Sequence, residues 1–132
     1  MRGDHERIRD ILDAIARIER YTLGNLEAFE HNELIQNWVV SHIQLIGEAA
    51  NYTSPECRQK HPEIPWSKII GMRNILVHSY FDIDLDVVKA VLERDLPLLK
   101  TQIARLLKEL QTASEKIKPS PSDSDTPQVP EQ

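Results

Sequence analysis

A chain of 132 residues, of which 40% are apolar and 28% charged, has the balance of a globular protein with one domain and one core. Its formal net charge of −5 argues against a domain that holds nucleic acid by neutralising many phosphates. Residues 118–132 carry one Lys against two Asp and one Glu, which is −2 and leaves −3 for residues 1–117. Any activity on nucleic acid must therefore use a local patch, or a groove shared between chains.

Cysteine content and apolar patterning exclude further classes of protein. Cys57 is the sole cysteine, which excludes an intramolecular disulfide and a cysteine cluster for zinc. His61 follows four residues later, but the segment is short and bounded by prolines, so we interpret Cys57 as a small apolar residue rather than a nucleophile. No apolar run approaches the roughly 20 residues that span a bilayer. Residues 1–7 are charged and lead into no secretory segment, so we expect a cytoplasmic protein without a membrane partner.

Two amphipathic helices are predicted in the first half of the chain. Residues 5–22 repeat apolar side chains at helical intervals, with Asp4 as the expected N-cap and Gly24 ending the helix. Residues 32–52 form a second helix, whose apolar stripe contains one polar member, His42. A histidine on such a stripe is typical of a hydrogen-bonded core residue, and we interpret His42 in that way.

The second half of the chain predicts a link and two further helices. Three prolines mark the link, over residues 55–65, and a third helix follows over residues 65–79. A long final helix begins at Leu85, and Pro97 predicts a kink or a break within it, because proline removes a backbone donor. Three aspartates supply the turn and a negatively charged start for this last helix: Asp82, Asp84 and Asp86.

These elements predict an all-α protein, an up-down bundle of four main helices within a single domain of residues 1–117. Residues 118–132 are rich in Pro, Ser and Asp and have too little apolar surface to fold. We therefore predict that these residues form a disordered C-terminal tail.

One short stretch of the third helix contains four side chains of types that take part in catalysis. These are Arg73, Asn74, His78 and Tyr80, which fall within eight residues. A histidine can move protons near neutral pH, and an arginine can clamp a phosphate through two parallel hydrogen bonds. Together, such groups can carry out a transesterification of RNA, in which the 2′-hydroxyl attacks the neighbouring phosphate without a metal ion.

Helical geometry leaves open how these side chains meet. Arg73 and His78 lie roughly 140° apart around an ideal helix, so one straight helix does not direct both at the same phosphate. Either the helix ends near His78, as the following aspartates favour, or a second chain completes the site. A plain structural alternative is an exposed Arg73, a core His78 and a Tyr80 at the end of a helix.

No metal site or cofactor site is predicted. His31 and His42 are eleven residues apart, too far along one helix to bind one metal ion. The three aspartates alternate like part of a calcium loop but lack its glycine and its closing glutamate. The sequence also lacks a phosphate-binding glycine loop and a nucleophile elbow.

A family resemblance is carried by these same residues. The spacing of Arg73, His78 and Tyr80 matches the Arg-X4-His-X-Tyr signature of the HEPN superfamily. Residues 65–80 and the following Asp84 resemble the HepT toxin family more narrowly, and residues 46–50, Ile-Gly-Glu-Ala-Ala, resemble that family's second-helix motif. The similarity runs from about residue 7 to residue 110 and leaves the tail without a counterpart.

The resemblance implies a homodimeric, metal-independent endoribonuclease with its site at the dimer interface, the toxin of a toxin–antitoxin pair. Its substrate would be an RNA, tRNA or mRNA, and no DNA partner is expected. Arg73 would stabilise the charge that develops on the phosphate, His78 would transfer protons, and Asn74 would help to orient the site. The implied partner is a MntA-type nucleotidyltransferase antitoxin, which would silence the toxin by transferring AMP from ATP to Tyr80.

Two questions stay open at this point. The chain can instead be a non-catalytic HEPN module that binds a minimal nucleotidyltransferase, although the intact set of Arg73, His78 and Tyr80 favours the enzyme. Glu48, within the second-helix motif, can either form a salt bridge to Arg73 or be an ordinary solvated residue of its helix.

Overall fold

The computed structural model describes residues 3–77 and 84–117, and within them the side chains of residues 3–73 and 84–113. Over these ranges the chain is helical and contains no strand, which confirms the predicted all-α class. The helices are α1 (Asp4–Thr22), α2 (Leu26–His31), α3 (Glu33–Tyr52), α4 (Pro55–Lys60), α5 (Trp66–Val77), α6 (Leu85–Ala90) and α7 (Leu96–Ile117), with a π-helical turn at Val91–Asp95 between the last two.

The core lies between the four longer helices. Helix α1 packs against both α3 and α7, and α3 packs on α5, so α3 stands between α1 and α5. Burial of the apolar face of each helix against its neighbours is the main force that holds such a bundle together. The fully or almost fully buried side chains include Ile8, Ile11, Ile15, Ile18, Ile43, Ile46, Ile69, Ile103 and Leu106.

The prediction that Asp4 caps the first helix is wrong. Gly3 is the N-cap, and its backbone N–H donates to Glu6 Oε1 at 3.3 Å. Asp4 accepts two hydrogen bonds from Ser54 instead, at 2.8 Å from the backbone N and 2.6 Å from Oγ. A charged acceptor with two donors is better satisfied there than by one terminal amide, so Asp4 joins the start of α1 to the start of α4. At the other end of α1, Gly24 has φ of 74°, as expected of a glycine that ends a helix.

The predicted link over residues 55–65 contains a short helix of its own. Ser54 Oγ accepts from Cys57 N at 3.2 Å, and Pro55 at the first helical position has a backbone angle suited to starting α4. Cys57 is buried, and this burial, together with the negative charge of Asp4, raises the pKa of its thiol to about 11. A thiolate is therefore disfavoured near neutral pH, which agrees with Cys57 as a core residue.

The final helix is irregular where Pro97 predicts it, but it does not break. In the π-helical turn before Pro97, the N–H of Leu96 donates to the carbonyl of Val91, and the chain stays helical into α7. Asp84 is the N-cap of α6 and accepts from Val87 N at 3.2 Å, as predicted for a helix start.

Several expectations fall on residues that the structure does not describe. The predicted tail, residues 118–132, and the first of the three aspartates, Asp82, lie outside the described residues. Within the described ranges, no helix is long and apolar enough to cross a membrane.

Candidate active site

The packing of α5 on α3 brings Arg73 across Gly47. A Cβ atom at Gly47 would lie 2.6 Å from Arg73 Cγ and 3.1 Å from the carbonyl oxygen of Ile69. Carbon atoms that touch without strain are about 3.5–4.0 Å apart, so only a glycine allows this approach. The missing side chain of Gly47 therefore opens the path that the aliphatic part of Arg73 follows over α3.

The next residue of α3 then contacts the guanidinium group. Glu48 Oε2 lies 3.5 Å from Arg73 Nη1, and the two side chains are 50% and 31% exposed. This confirms the salt bridge as the better of the two interpretations of Glu48. Partly exposed pairs of this kind contribute at most about 1 kcal/mol to folding, so the main effect of the pair is to orient the guanidinium group.

The guanidinium group retains capacity for an anion. Arg73 Nε is buried and has no hydrogen-bond partner among the described residues. Glu48 forms the one ion pair that Arg73 makes within that part of the chain, and it engages one nitrogen of a group with several N–H donors. Because Nε is buried while the side chain as a whole is 31% exposed, a phosphate oxygen would bind at the remaining Nη donors.

The other residues of the predicted site are described in part or not at all. Asn74 follows Arg73 in α5, but its side chain is not among those described. His78 and Tyr80 lie outside the described residues. The structure therefore brings Arg73 together with Glu48, and the meeting of Arg73 with His78 stays a prediction.

Beside Glu48, a groove of about 330 Å³ runs between α1 and α3. Ala14 of α1 and Ala49 of α3 are small residues among its lining, and His42 lines it as well. The His42 ring is 7% exposed, and its Nδ1 lies 2.6 Å from the carbonyl oxygen of Trp38, which confirms His42 as a hydrogen-bonded core residue.

The sequence did not reveal the part played by Gly47 or the presence of this groove. One signal for Gly47 was available, because a glycine inside a helix costs about 0.5–1 kcal/mol relative to alanine and requires a compensating reason. No such signal existed for the groove, which depends on how two helices pack. Among the residues that the structure describes, no cluster of His, Cys, Asp or Glu is arranged to hold a metal ion.

Comparison with known proteins gives consistent matches. A family model described as "Ribonuclease HepT-like" matches residues 11–106. A Methanocaldococcus jannaschii protein named as a gamma-glutamylcyclotransferase and RNase is 36% identical over 78% of this chain, which spans only 47% of that relative's length. A second protein of that organism, named as an RNase, is 33% identical, covering 71% of this chain and 87% of the relative.

A third relative, from Thermococcus cleftensis, is named as a ribonuclease HepT and is 33% identical over 81% of this chain and 98% of its own length. No solved structure shows a significant match. The family model covers most of the chain and includes Gly47, Glu48 and the whole Arg73-to-Tyr80 signature. This chain belongs to the HepT-like ribonuclease family.

Proposed function

We propose that this protein is a metal-independent endoribonuclease and the toxin of a toxin–antitoxin pair, with tRNA or mRNA as its substrate. The observation that supports the proposal is the position of Arg73, which passes over Gly47, pairs with Glu48 and remains 31% exposed. The ribonuclease names of its relatives support the class of reaction.

The reaction that suits these residues is an internal transesterification. His78 removes the proton from a 2′-hydroxyl, whose oxygen attacks the adjacent phosphorus atom. The bond from phosphorus to the 5′-oxygen breaks, and the leaving oxygen takes up a proton. Arg73 stabilises the negative charge that grows on the phosphoryl oxygens, and Asn74 helps to orient the site. The products are a 2′,3′-cyclic phosphate and a 5′-hydroxyl end.

RNA cleavage by the purified chain is expected to persist in EDTA, because the positive charge of Arg73 takes the place of a metal ion in stabilising the negative charge on the phosphate. Mass spectrometry of the fragments should find 2′,3′-cyclic phosphate ends. The control is His78→Ala prepared in the same way, which should cleave no RNA and thereby excludes a contaminating nuclease. Loss of cleavage in EDTA with recovery in magnesium would reject this mechanism, and a native chain that binds a nucleotidyltransferase without cleaving RNA would favour the binding module.

We further propose that the active form is a homodimer. An exposed apolar stripe runs along α3 through Leu34 (81% exposed), Leu45 (54%) and Tyr52 (57%). At about 100° per residue, these positions and Glu48 fall within a sector of about 60° on the helix. A second copy that covers this stripe would lie next to the Arg73–Glu48 pair, where it can complete a site that one acidic chain leaves open.

Light scattering of the native chain is expected to give about twice 15.2 kDa. Leu45→Glu should shift the mass to that of one chain, because the stripe would then bury a carboxylate without a partner. The matched control is Leu98→Glu, since Leu98 is similarly exposed (61%) but lies on α7. A native chain that is monomeric at micromolar concentration contradicts the shared site.

The antitoxin in this proposal is a MntA-type nucleotidyltransferase that modifies Tyr80 with AMP. An AMP group on the phenol adds a phosphodiester with about one negative charge and a bulky adenosine. The phosphate of this group resembles that of the substrate, so it can pair with Arg73 and exclude the RNA backbone from the site. Modification would then stop cleavage without unfolding the protein.

Tyr80→Phe is expected to resist silencing, because the ring remains and only the acceptor oxygen is lost. After co-expression with the antitoxin, the intact mass of the native chain should rise by whole AMP units and that of Tyr80→Phe should not. Tyr21→Phe and Tyr52→Phe are the controls, since the chain has three tyrosines, and both should still gain AMP. If Tyr80→Phe gains AMP, or the native chain never does, Tyr80 is not the switch.

A further inference from the structure

The groove between α1 and α3 is large enough to admit one nucleobase. Its volume is about 330 Å³, and its lining includes the small side chains of Ala14 and Ala49, the ring of His42 and Leu45 of the α3 stripe, so the second copy of the proposed homodimer would border the groove. Both alanines are almost completely buried, at 4% and 5% exposure. A larger residue at either position would occupy space that the groove now leaves open.

His42, which lines this groove, has a tautomer fixed by its hydrogen bond to the backbone. A carbonyl oxygen cannot donate, so the 2.6 Å contact requires His42 Nδ1–H to donate to the carbonyl of Trp38. In the neutral ring, Nε2 then carries the lone pair. The ring also packs against the indole of Trp38, with centroids 4.3 Å apart, which holds it in place.

The charge of the groove selects against a phosphate as its occupant. Two arginines, Arg7 and Arg17, face three carboxylates among the lining residues, and one of these, Glu48, also pairs with Arg73, so the lining has no excess of positive charge when His42 is neutral. Such a lining favours a neutral group that is rich in hydrogen-bond donors. Asp13 is exposed and makes no hydrogen bond or ion pair with residues in the described ranges, so its carboxylate is accessible to a ligand.

We propose that this groove binds a guanine base next to the scissile phosphate of the RNA, an inference that rests on the proposed function. Guanine presents N1–H and N2–H₂ side by side, which one carboxylate, Asp13, can accept together, while its O6 and N7 are acceptors suited to Arg17. Glu48 lines the groove and also contacts Arg73 at 3.5 Å. A base in the groove and a phosphate at Arg73 can therefore belong to one RNA strand.

Binding can be tested without any cleavage by NMR of the tryptophan indoles. Trp38 Nε1–H donates to the carbonyl of Arg17 at 2.9 Å and reports on the groove, whereas Trp66, the second of two tryptophans, is the internal reference. GMP should shift the Trp38 signal more than AMP, CMP or UMP do, with Trp66 unchanged. Asp13→Asn should weaken GMP binding by at least about fivefold, the lower end of the effect of a bidentate base contact, and the exposed control Glu27→Gln should not.

Cleavage of short RNAs that differ only in the base next to the cut gives the second measurement. The native chain should have its highest kcat/KM with guanine, and Asp13→Asn should lower that value more than the values for the other three bases. If GMP does not shift Trp38, or all four nucleotides act equally, the groove proposal is wrong even when RNA is cleaved. If GMP binds selectively but the native chain cleaves no RNA, the proposed function fails instead, and with it the role of the groove in cleavage.

Discussion

Replacing Arg73 with glutamine is expected to lower kcat for RNA cleavage by about 10²–10³-fold, the usual cost of removing one donor that stabilises developing negative charge. Glutamine keeps a polar side chain of moderate length but loses the charge and the paired N–H groups. The KM for RNA should change less than kcat does, because the lost contact is strongest when charge develops on the phosphate. Single-turnover cleavage of a labelled RNA separates the two effects.

The fold should tolerate this change. Arg73 is partly exposed and its ion pair with Glu48 is long, so the free energy of unfolding in urea should fall by less than about 1 kcal/mol. Arg105→Gln is the matched control, because Arg105 is exposed on α7 and should affect neither quantity. A kcat of Arg73→Gln equal to the native value would remove Arg73 from the reaction.

Helix periodicity predicted the long helices of the bundle but not the short helix α2. The predicted spans over residues 5–22 and 32–52 agree with α1 and α3 to within one residue at each end, because the apolar repeat of each helix coincides with the face that it buries. The same logic identified His42 as a core residue and Asp84 as a helix start, since both depend on neighbours within one turn of the chain.

The predictions that were wrong or incomplete concern contacts between distant segments. Asp4 was expected to cap its own helix, but its carboxylate bonds to Ser54, fifty residues away. Helix α4 is only six residues long and depends on a Ser cap and a Pro start rather than on an apolar repeat. The apolar repeat does not reveal α4, whose signals are a local cap and a proline, and no local pattern reveals the Asp4–Ser54 bonds, because the fold alone brings these residues together.

The candidate site was likewise predictable from the sequence only in part. The sequence indicated Arg73 by its spacing to His78 and Tyr80, whereas the approach of Arg73 to Gly47 required the packing of α5 on α3. The angle of roughly 140° between Arg73 and His78 on an ideal helix had already suggested that a helix end or a second chain must contribute. Family membership supports the ribonuclease class of the reaction proposed for this signature, and the structure adds the residues that contact its arginine.

A substitution at Gly47 tests whether this residue positions Arg73. Gly47→Ala is expected to lower kcat for RNA cleavage by about 10²-fold, since a displacement of about 1 Å in a catalytic group can have an effect of this size. The added Cβ would lie 2.6 Å from Arg73 Cγ, a flexible side-chain atom, and 3.1 Å from the backbone oxygen of Ile69. Arg73 must therefore turn away from Glu48, or α5 must move away from α3.

The stability of Gly47→Ala should change little, because alanine favours a helix by about 1 kcal/mol over glycine and this gain offsets part of the strain. Gly71→Ala is the matched control: Gly71 is also within a helix, but a Cβ there meets nothing within 4 Å. This control should unfold at higher urea concentration and cleave RNA at the native rate. The double variant Gly47→Ala/Arg73→Gln decides whether Gly47 acts through Arg73, because it should then be no slower than Arg73→Gln alone. Additive losses in the double variant, or a native rate in Gly47→Ala, would show that the space at Gly47 does not serve to position the arginine.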